Sequence, residues 1–280
     1  MRTTQKYWVQ GSPLPCYIFS LMPTDTRNRH AFSDALKRGL YEAIFRRRDI
    51  REFISDPIPD DVLARVLTAA HHAASVGFTQ PWDFILVRSL ERRRRVKEVF
   101  EAERQKNAAQ FSGARREKYL SLKLEGILEA PLNLIVTCKP DRFGPAVLGK
   151  TSIRDVEIYS ACLAVENLWL TARAEGLGMG WVSIMRNDAL AEIFAIPGDV
   201  IPIAYLCVGY VRDFPDCPVL ATKRWAERLP PRSLIHFDSW SDASERAAPA
   251  ADSLLKKIDD PSIWRAIFTA DSPNKPPSRA

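Results

Sequence analysis

Apolar residues recur at helical spacing in three parts of the chain. Ser33 can cap a helix that runs roughly from 35 to 48, because a serine hydroxyl accepts a hydrogen bond from a free amide of the first turn. A second helix follows Pro59, and a third, over 155–175, is apolar nearly all round. Because a helix without a polar face must be buried, we predict that 155–175 lies at the centre of the fold.

Short apolar runs between turn-forming residues predict four strands, over 84–87, 132–138, 181–184 and 203–211. The glycines at 176, 178 and 180 are interpreted as the turn between the central helix and the strand at 181. Residues 90–128, rich in Arg, Glu and Lys, predict exposed helix. Helices and antiparallel-looking strands alternate irregularly instead of forming βαβ repeats, so the pattern predicts the α+β class.

Three regions follow from the same pattern. Residues 1–30 show no sustained periodicity and are interpreted as an N-terminal extension. Residues 31–244 hold the strong helices and strands and are predicted to form one domain. Residues 245–280 contain one weak helix, over 254–268, and a tail rich in Pro, Ser and Lys, so we predict that this region is largely disordered.

The chain lacks the patterns of membrane and secreted proteins. No stretch reaches the roughly 18–20 apolar residues of a membrane span, and the first residues lack a compact basic region followed by a cleavage site. Five cysteines without a CxxC pair fit a reducing compartment better than a disulfide scaffold. We therefore expect a cytoplasmic protein, with Cys138 and Cys207 buried inside apolar runs.

The net charge of +6 raises the question of a nucleic-acid partner. The arginine run at 92–95 encircles its helix, because successive helical residues turn by about 100°. No zinc-finger spacing or RNP-like aromatic motif accompanies it. We therefore expect no nucleic-acid partner, and a small anion is an adequate partner for the other basic run, at 46–48.

Arginines cluster at 46–51, where the sequence reads RRRDIR near the end of the first predicted helix. Arginine suits a phosphate clamp because its planar guanidinium forms two parallel hydrogen bonds with an oxyanion. An exposed basic turn is the alternative. Asp49 could form salt bridges within the cluster, or it could place a proton acceptor beside a bound anion.

The segment HHAASVGFTQPW at 71–82 carries small and amide-bearing residues around a helix end. Ser75, Gly77 and Gln80 could let backbone approach a planar ring. The two adjacent histidines point about 100° apart on a helix, so they do not form the i, i+4 pair that binds zinc. No metal site is predicted.

The segment EGLGMGWVS at 175–183 contains a GxGxG pattern. Dinucleotide-binding folds place that pattern after a strand and before a helix, whereas here it follows a helix. A Rossmann site is therefore rejected. Ser183 is either a core hydroxyl or a group presented to a ligand, and no His or Asp partner can be assigned to it as a nucleophile.

Taken in order, RRDIR at 47–51, HHAASVGFTQPW at 71–82 and EGLGMGWVS at 175–183 resemble the nitroreductase-like flavoproteins. More narrowly, they resemble the 5,6-dimethylbenzimidazole synthases, which make the lower ligand of cobalamin (vitamin B12). Ordinary nitroreductases usually carry serine where Asp49 stands. The resemblance covers about residues 40–240. It departs at Ala74, where proline is expected, and at Asp83.

This resemblance implies a nitroreductase-like fold, with a central antiparallel sheet flanked by helices, in an intertwined homodimer with FMN at the subunit interface. The phosphate and ribityl end of FMN would be held by Arg47, Arg48, Arg51 and, as a further candidate, Arg224. The isoalloxazine ring would be bordered by Ser75, Gly77, Gly180, Trp181 and Val182. Residues 90–128 would form a lid.

The resemblance also implies a reaction in which reduced FMN is the substrate and O2 the co-substrate. The products would be 5,6-dimethylbenzimidazole and D-erythrose 4-phosphate. Asp49 would accept a proton from the ribityl chain, and Ser183 would orient the oxygen species or a ribityl hydroxyl. A separate flavin reductase would deliver the reduced flavin, so that NAD(P)H acts only indirectly. The alternative is an NAD(P)H-dependent nitroreductase that keeps FMN as a permanent cofactor.

Overall fold

A four-stranded antiparallel sheet forms the centre of the computed structural model, which describes residues 29–240 and 249–263. The strands lie in the order β1-β2-β4-β3. Their bounds are Trp82–Val87 (β1), Leu132–Cys138 (β2), Leu177–Trp181 (β3) and Ile201–Tyr210 (β4). Every neighbouring pair is antiparallel, which confirms the predicted α+β sheet.

The described residues contain eight α-helices: Asp34–Arg46 (α1), Asp60–His71 (α2), Leu90–Ala108 (α3), Gly113–Ser121 (α4), Val156–Ala174 (α5), Asn187–Phe194 (α6), Val219–Thr222 (α7) and Pro249–Asp259 (α8). Helices α2 and α5 pack on one face of the sheet. Helices α3 and α6 pack on the other face. Among the residues that the structure describes, no helix is both long enough and apolar enough to cross a membrane.

Side chains alternate between the two faces along the central strands. On β4, Leu206 and Val208 pack beneath α5, whereas Tyr205 and Cys207 face α3 and α6. This alternation follows from the two-residue period of a strand. Cys138 and Cys207 are fully buried, as the sequence predicted.

Most predicted elements are confirmed to within a few residues. Ser33 caps α1 by accepting a hydrogen bond from the Leu36 amide at 3.5 Å. Helix α2 begins directly after Pro59. In the C-terminal region, α8 begins before the predicted residue 254. The rest of the two terminal predictions, at 1–28, 245–248 and 264–280, lies outside the described residues.

Of the three glycines predicted to form a turn, only Gly176 lies in it, and the predicted strand at 181–184 is wrong. Gly178 and Gly180 are residues of β3, and β3 ends at Trp181. Gly178 is the register partner of Gly209 on β4, so these glycines share one face of the sheet. The segment Ile50–Phe53 crosses this face: a side chain at Gly178 would collide with Val211 and lie tightly against Ile50, and one at Gly209 would collide with Pro131 and approach Phe53. Glycine is required here for close backbone approach, not for a turn.

Two helices differ from their predicted exposure. Helix α3 buries a stripe, formed by Arg93, Val96, Phe100 and Ala108, so the prediction of exposed helix is wrong for that face. Helix α5 is central, as predicted, but two of its large side chains are exposed in a single chain. The exposed fractions are 56% for Tyr159 and 49% for Leu163. Large apolar side chains that stay exposed on the outer face of a central helix indicate a surface that another molecule can cover.

Because residues 50–53 pass so closely over the glycines, we predict that even a methyl group added at Gly180 destabilises the fold. A Cβ at Gly180 would overlap the carbonyl oxygen of Ile50 and Nη1 of Arg51. We expect Gly180→Ala to lower the free energy of unfolding by about 1–3 kcal/mol, the usual cost of overpacking. Urea denaturation measures it. Gly198→Ala is the matched control, since nothing lies within 4 Å of its Cβ; equal effects of both variants would contradict the crossing.

Candidate active site

The crossing brings residues 49–51 against the end of β3. The Ile50 amide donates to the Met179 carbonyl at 2.8 Å, and the Ile54 amide donates to the Tyr210 carbonyl at 3.0 Å. These two bonds fix both ends of the crossing segment. The first and third sequence motifs, which are about 130 residues apart in the chain, therefore form one site.

Asp49 and Arg51 form the polar centre of this site. Nη1 of Arg51 donates to Oδ1 of Asp49 at 2.6 Å, and Nη2 donates to Oδ2. Nη2 also donates to the Trp181 carbonyl at 2.9 Å, and the Trp181 amide donates to Oδ1 of Asp49 at 3.1 Å. The two parallel hydrogen bonds from the Arg51 guanidinium hold the Asp49 carboxylate in one orientation relative to β3.

One acceptor position of Asp49 stays open. A carboxylate offers about four lone-pair positions. Among the described residues, Oδ1 accepts from Arg51 and Trp181, and Oδ2 accepts from Arg51 alone. The Asp49 side chain is 48% exposed, whereas Arg51 is 15% exposed. Asp49 can therefore accept one more hydrogen bond, from a molecule on the solvent side.

Arg47 and Arg48 point away from this pair. The Arg47 guanidinium lies over the Trp169 ring, 4.7 Å from its centroid. Arg48 donates to the carbonyls of Phe45 and Arg47, at 2.8 and 2.7 Å, and to the Asp216 carbonyl. Arg48 thus ties the end of α1 to the C-terminal part of the domain.

The pKa of Arg48 identifies a further cation that the sequence did not single out. Burial lowers the pKa of Arg48, and the positive charges of Arg47 and Arg228 act in the same direction. Arg47 and Arg228 therefore both lie within electrostatic reach of Arg48. Arg224, the sequence candidate, is exposed, and its carbonyl accepts from Nζ of Lys118 at 2.8 Å. The sequence offers no signal that separates Arg228 from Arg224, since both lie in one irregular basic stretch.

The turn at 75–77 belongs to a different part of the chain's surface. Ser75 Oγ accepts from the Gln80 amide at 3.1 Å, and the Val76 amide donates to Ser160 on α5 at 3.1 Å. Gly77 has a φ of +51° and packs so closely on Leu148 that a side chain would collide. Within the described chain, no hydrogen bond or ion pair links this turn to Asp49 or Arg51.

The loop that packs on this turn is anchored by Asp83, the residue at which the sequence departs from the related motif. Arg142 donates to the Asp83 carboxylate at 2.6 Å and to the carbonyls of Pro81 and Trp82 at 3.4 and 3.3 Å. The substitution therefore has a structural role at the base of the loop.

The residues that follow β3 have unequal access to a ligand. Val182 is 2% exposed, and its amide donates to the Tyr205 carbonyl at 2.9 Å. Its side chain belongs to the core. Ser183 is exposed, and its hydroxyl forms no hydrogen bond with another described residue. Of the two sequence interpretations, a core hydroxyl is excluded, and Ser183 is available to a ligand.

The site can supply a fixed carboxylate, an exposed hydroxyl two residues beyond Trp181 and a group of guanidiniums. That set can bind an oxyanion and accept a proton from a bound hydroxyl. The part of the chain that the structure describes contains no group of three His, Cys, Asp or Glu that could hold a metal ion.

The chain is similar in sequence to known proteins over most of its length. The nitroreductase family profile matches residues 44–210. A 5,6-dimethylbenzimidazole synthase of Rhodospirillum rubrum is 37% identical over 200 residues, which cover 71% of this chain and 94% of that protein.

Solved structures share the fold. A BluB-like flavoprotein from Clostridium difficile superposes with a TM-score of 0.54 at 21% identity, covering 71% of this chain and all but 1% of that one. Iodotyrosine deiodinase bound to FMN and 3-iodo-L-tyrosine gives a TM-score of 0.56 at 21% identity, covering 72% and 100% of the two chains. The chain belongs to the nitroreductase family and, within it, to the group of 5,6-dimethylbenzimidazole synthases.

Proposed function

We propose that this protein fragments reduced FMN with O2, giving 5,6-dimethylbenzimidazole and D-erythrose 4-phosphate. The observation that carries the proposal is the similarity to 5,6-dimethylbenzimidazole synthases over nearly their whole length. The fixed carboxylate of Asp49 beside Trp181 supports it, because the reaction needs a positioned proton acceptor that a permanent flavin cofactor does not need.

Three arginines fit the phosphate of FMN. The positive charges of Arg47 and Arg228 both act on Arg48, and a dianionic phosphate bound beside Arg48 would offset that repulsion. Each has internal partners or neighbours in the free chain, so binding would exchange some of these for phosphate oxygens. Arg51 would bind the ribityl side, where its fork already faces Asp49. Arg224 is retained as a weaker candidate, since its side chain is exposed on the same segment.

Asp49 and Ser183 would act on the ribityl chain. Reduced FMN supplies both the electrons for O2 and the carbon atoms of the products. Oδ2 of Asp49 would accept a hydrogen bond from a ribityl hydroxyl at its open position, and would then accept the proton of that hydroxyl. Ser183 would orient the same hydroxyl or the oxygen species. The backbone of Gly180, Trp181 and Val182 would border the ring, because the side chain of Val182 is buried in the core.

A homodimer would complete the site. Three apolar side chains at helical spacing on α1 are exposed: Leu36 at 64%, Leu40 at 47% and Ile44 at 43%. Helix α1 packs on α5, whose Tyr159 and Leu163 are also exposed. A second copy would bury these residues. It would also bring its own Ser75–Gly77 turn towards Asp49, which one chain leaves separate.

Two further partners follow from the chemistry. Because reduced FMN is consumed, each turnover needs a new molecule, which we propose a separate flavin reductase supplies from NAD(P)H. O2 would then enter a site from which water is excluded. Helix α4 is the better candidate for a lid within 90–128, since one face of α3 is part of the core.

Substitution of Asp49 tests the proton acceptor. We expect Asp49→Asn to lower 5,6-dimethylbenzimidazole formation by about 100-fold or more, because proton transfer by a placed side chain contributes about that much. FMN binding should stay nearly intact. Ser183→Ala should act in the same direction with a smaller effect. Product is quantified after FMN is reduced anaerobically with the protein and air is admitted.

Asp56→Asn is the matched control for Asp49→Asn, since Asp56 is exposed outside the site, and it should keep full activity. Full activity of Asp49→Asn would disprove the role of Asp49. Absence of product from the wild-type protein, with rapid reduction of a nitroarene by NADPH and FMN alone, would favour the nitroreductase alternative instead.

Substitution of Leu163 tests the dimer. Leu163→Asp places a charge on the exposed stripe of α5, so we expect dimer affinity to fall by at least about tenfold. FMN affinity should fall with it, because the site needs both copies. Sedimentation and FMN titration measure the two effects. Leu90→Asp is the control, since Leu90 is 43% exposed at the start of α3; a monomeric wild-type protein that binds FMN tightly would contradict the proposal.

A further inference from the structure

A second cleft lies apart from the proposed flavin site. It has a volume of about 570 Å³ and opens between the start of α2, the end of β1, helix α3 and the turn before β2. Seven of its lining residues are apolar, among them Ile58, Leu63, Leu128 and Leu132. Its volume falls within the range of sites that bind a small organic molecule.

Arg93 lines this cleft and is 9% exposed. Its Nη1 donates to the Ala130 carbonyl, and its Nε is buried without a hydrogen-bond partner. Nη2 donates to no residue that the structure describes. No described carboxylate forms an ion pair with Arg93 either. One neutral carbonyl is therefore the only hydrogen-bond partner of the Arg93 side chain within the described chain.

The other charges that line the cleft are matched. Arg88 pairs with Asp60 at 3.3 Å, and Glu129 pairs with Lys123 at 3.1 Å. Elsewhere in the chain, Arg65 is a guanidinium with a full counter-ion: its Nε and Nη2 donate to the two carboxylate oxygens of Glu175 at 2.8 and 2.9 Å. Arg93 is thus the charge left over in the cleft.

A buried guanidinium without a counter-ion is costly, since charge removed from water needs an opposite charge and full hydrogen bonding. The cleft offers space for such a counter-ion beside Arg93. We propose that the cleft binds a small organic oxyanion, a carboxylate or phosphate monoester with an apolar body. Arg93 would bind the charged head through its free donors, and the apolar residues would cover the body.

Calorimetric titration with benzoate and with phenyl phosphate tests this site, and the two probes distinguish a carboxylate head from a phosphate head. The full-length protein is saturated with FMN beforehand, so that the arginines near Asp49 are occupied. Benzyl alcohol is the neutral control for benzoate. We expect saturable binding of at least one anion and no binding of the alcohol.

The variants locate the binding. Arg93→Gln should weaken the anion by at least about tenfold, the value of a charge-assisted hydrogen bond, and Arg93→Lys should weaken it less. Arg94→Gln removes the same charge from an exposed neighbour on α3 and should change nothing. If Arg93→Gln does not fold, Ser55→Trp, which fills the cleft from an exposed position, should abolish binding.

Four results would overturn the proposal: no saturable binding of either anion, equal binding of benzyl alcohol, unchanged affinity in Arg93→Gln, or unchanged affinity in Ser55→Trp. Loss of binding in Arg48→Gln but not in Arg93→Gln would assign the anion to the proposed flavin site. The proposed reaction does not enter this test, so a failure here leaves it untouched.

Discussion

The close passage of one backbone segment over a glycine face is the constraint on which the site depends. Ile50–Phe53 lies on β3 and β4 where Gly178, Gly180 and Gly209 leave the sheet without side chains. The crossing segment covers that face in their place, and Phe53 adds to the core beyond it. Fold and site are therefore built from the same contact: loosening it would release Asp49 and expose the sheet together.

Electrostatics then divides the arginine cluster into two functions. Arg51, mostly buried, fixes Asp49 against β3. Arg48 spans from α1 to the C-terminal segment by donating to backbone carbonyls, and it lies within electrostatic reach of both Arg47 and Arg228. The first group is rigid and its charges are paired. The second is a concentration of like charge, which is the condition under which an anion binds most favourably.

The sequence predicted what local physics determines. Capping at Ser33 and the apolar runs of β1, β2 and β4 gave the correct elements, because these depend on near neighbours. Gly178 and Gly180 were wrongly predicted to form a turn, because their role depends on Ile50, which lies some 130 residues away in the chain. Likewise, the polar composition of α3 hid a narrow buried stripe, and nothing local separated Arg228 from Arg224. The clustering of Asp49, Arg51 and Trp181 was anticipated only through the family resemblance.

The crossing is fixed by backbone hydrogen bonds, whereas the reactive group at position 49 is a side chain. The Ile50 amide bonds to Met179 whatever side chain precedes it, and the space over the glycines admits main chain. Position 49 must supply an acceptor for the Trp181 amide, which a serine hydroxyl could also provide, and a counter-charge for Arg51, which it could not. A substitution at that position would therefore change the reactive group and the charge balance at Arg51 together, while the backbone hydrogen bond from Ile50 to Met179 stays possible. Such a position is where a family diversifies at little structural cost.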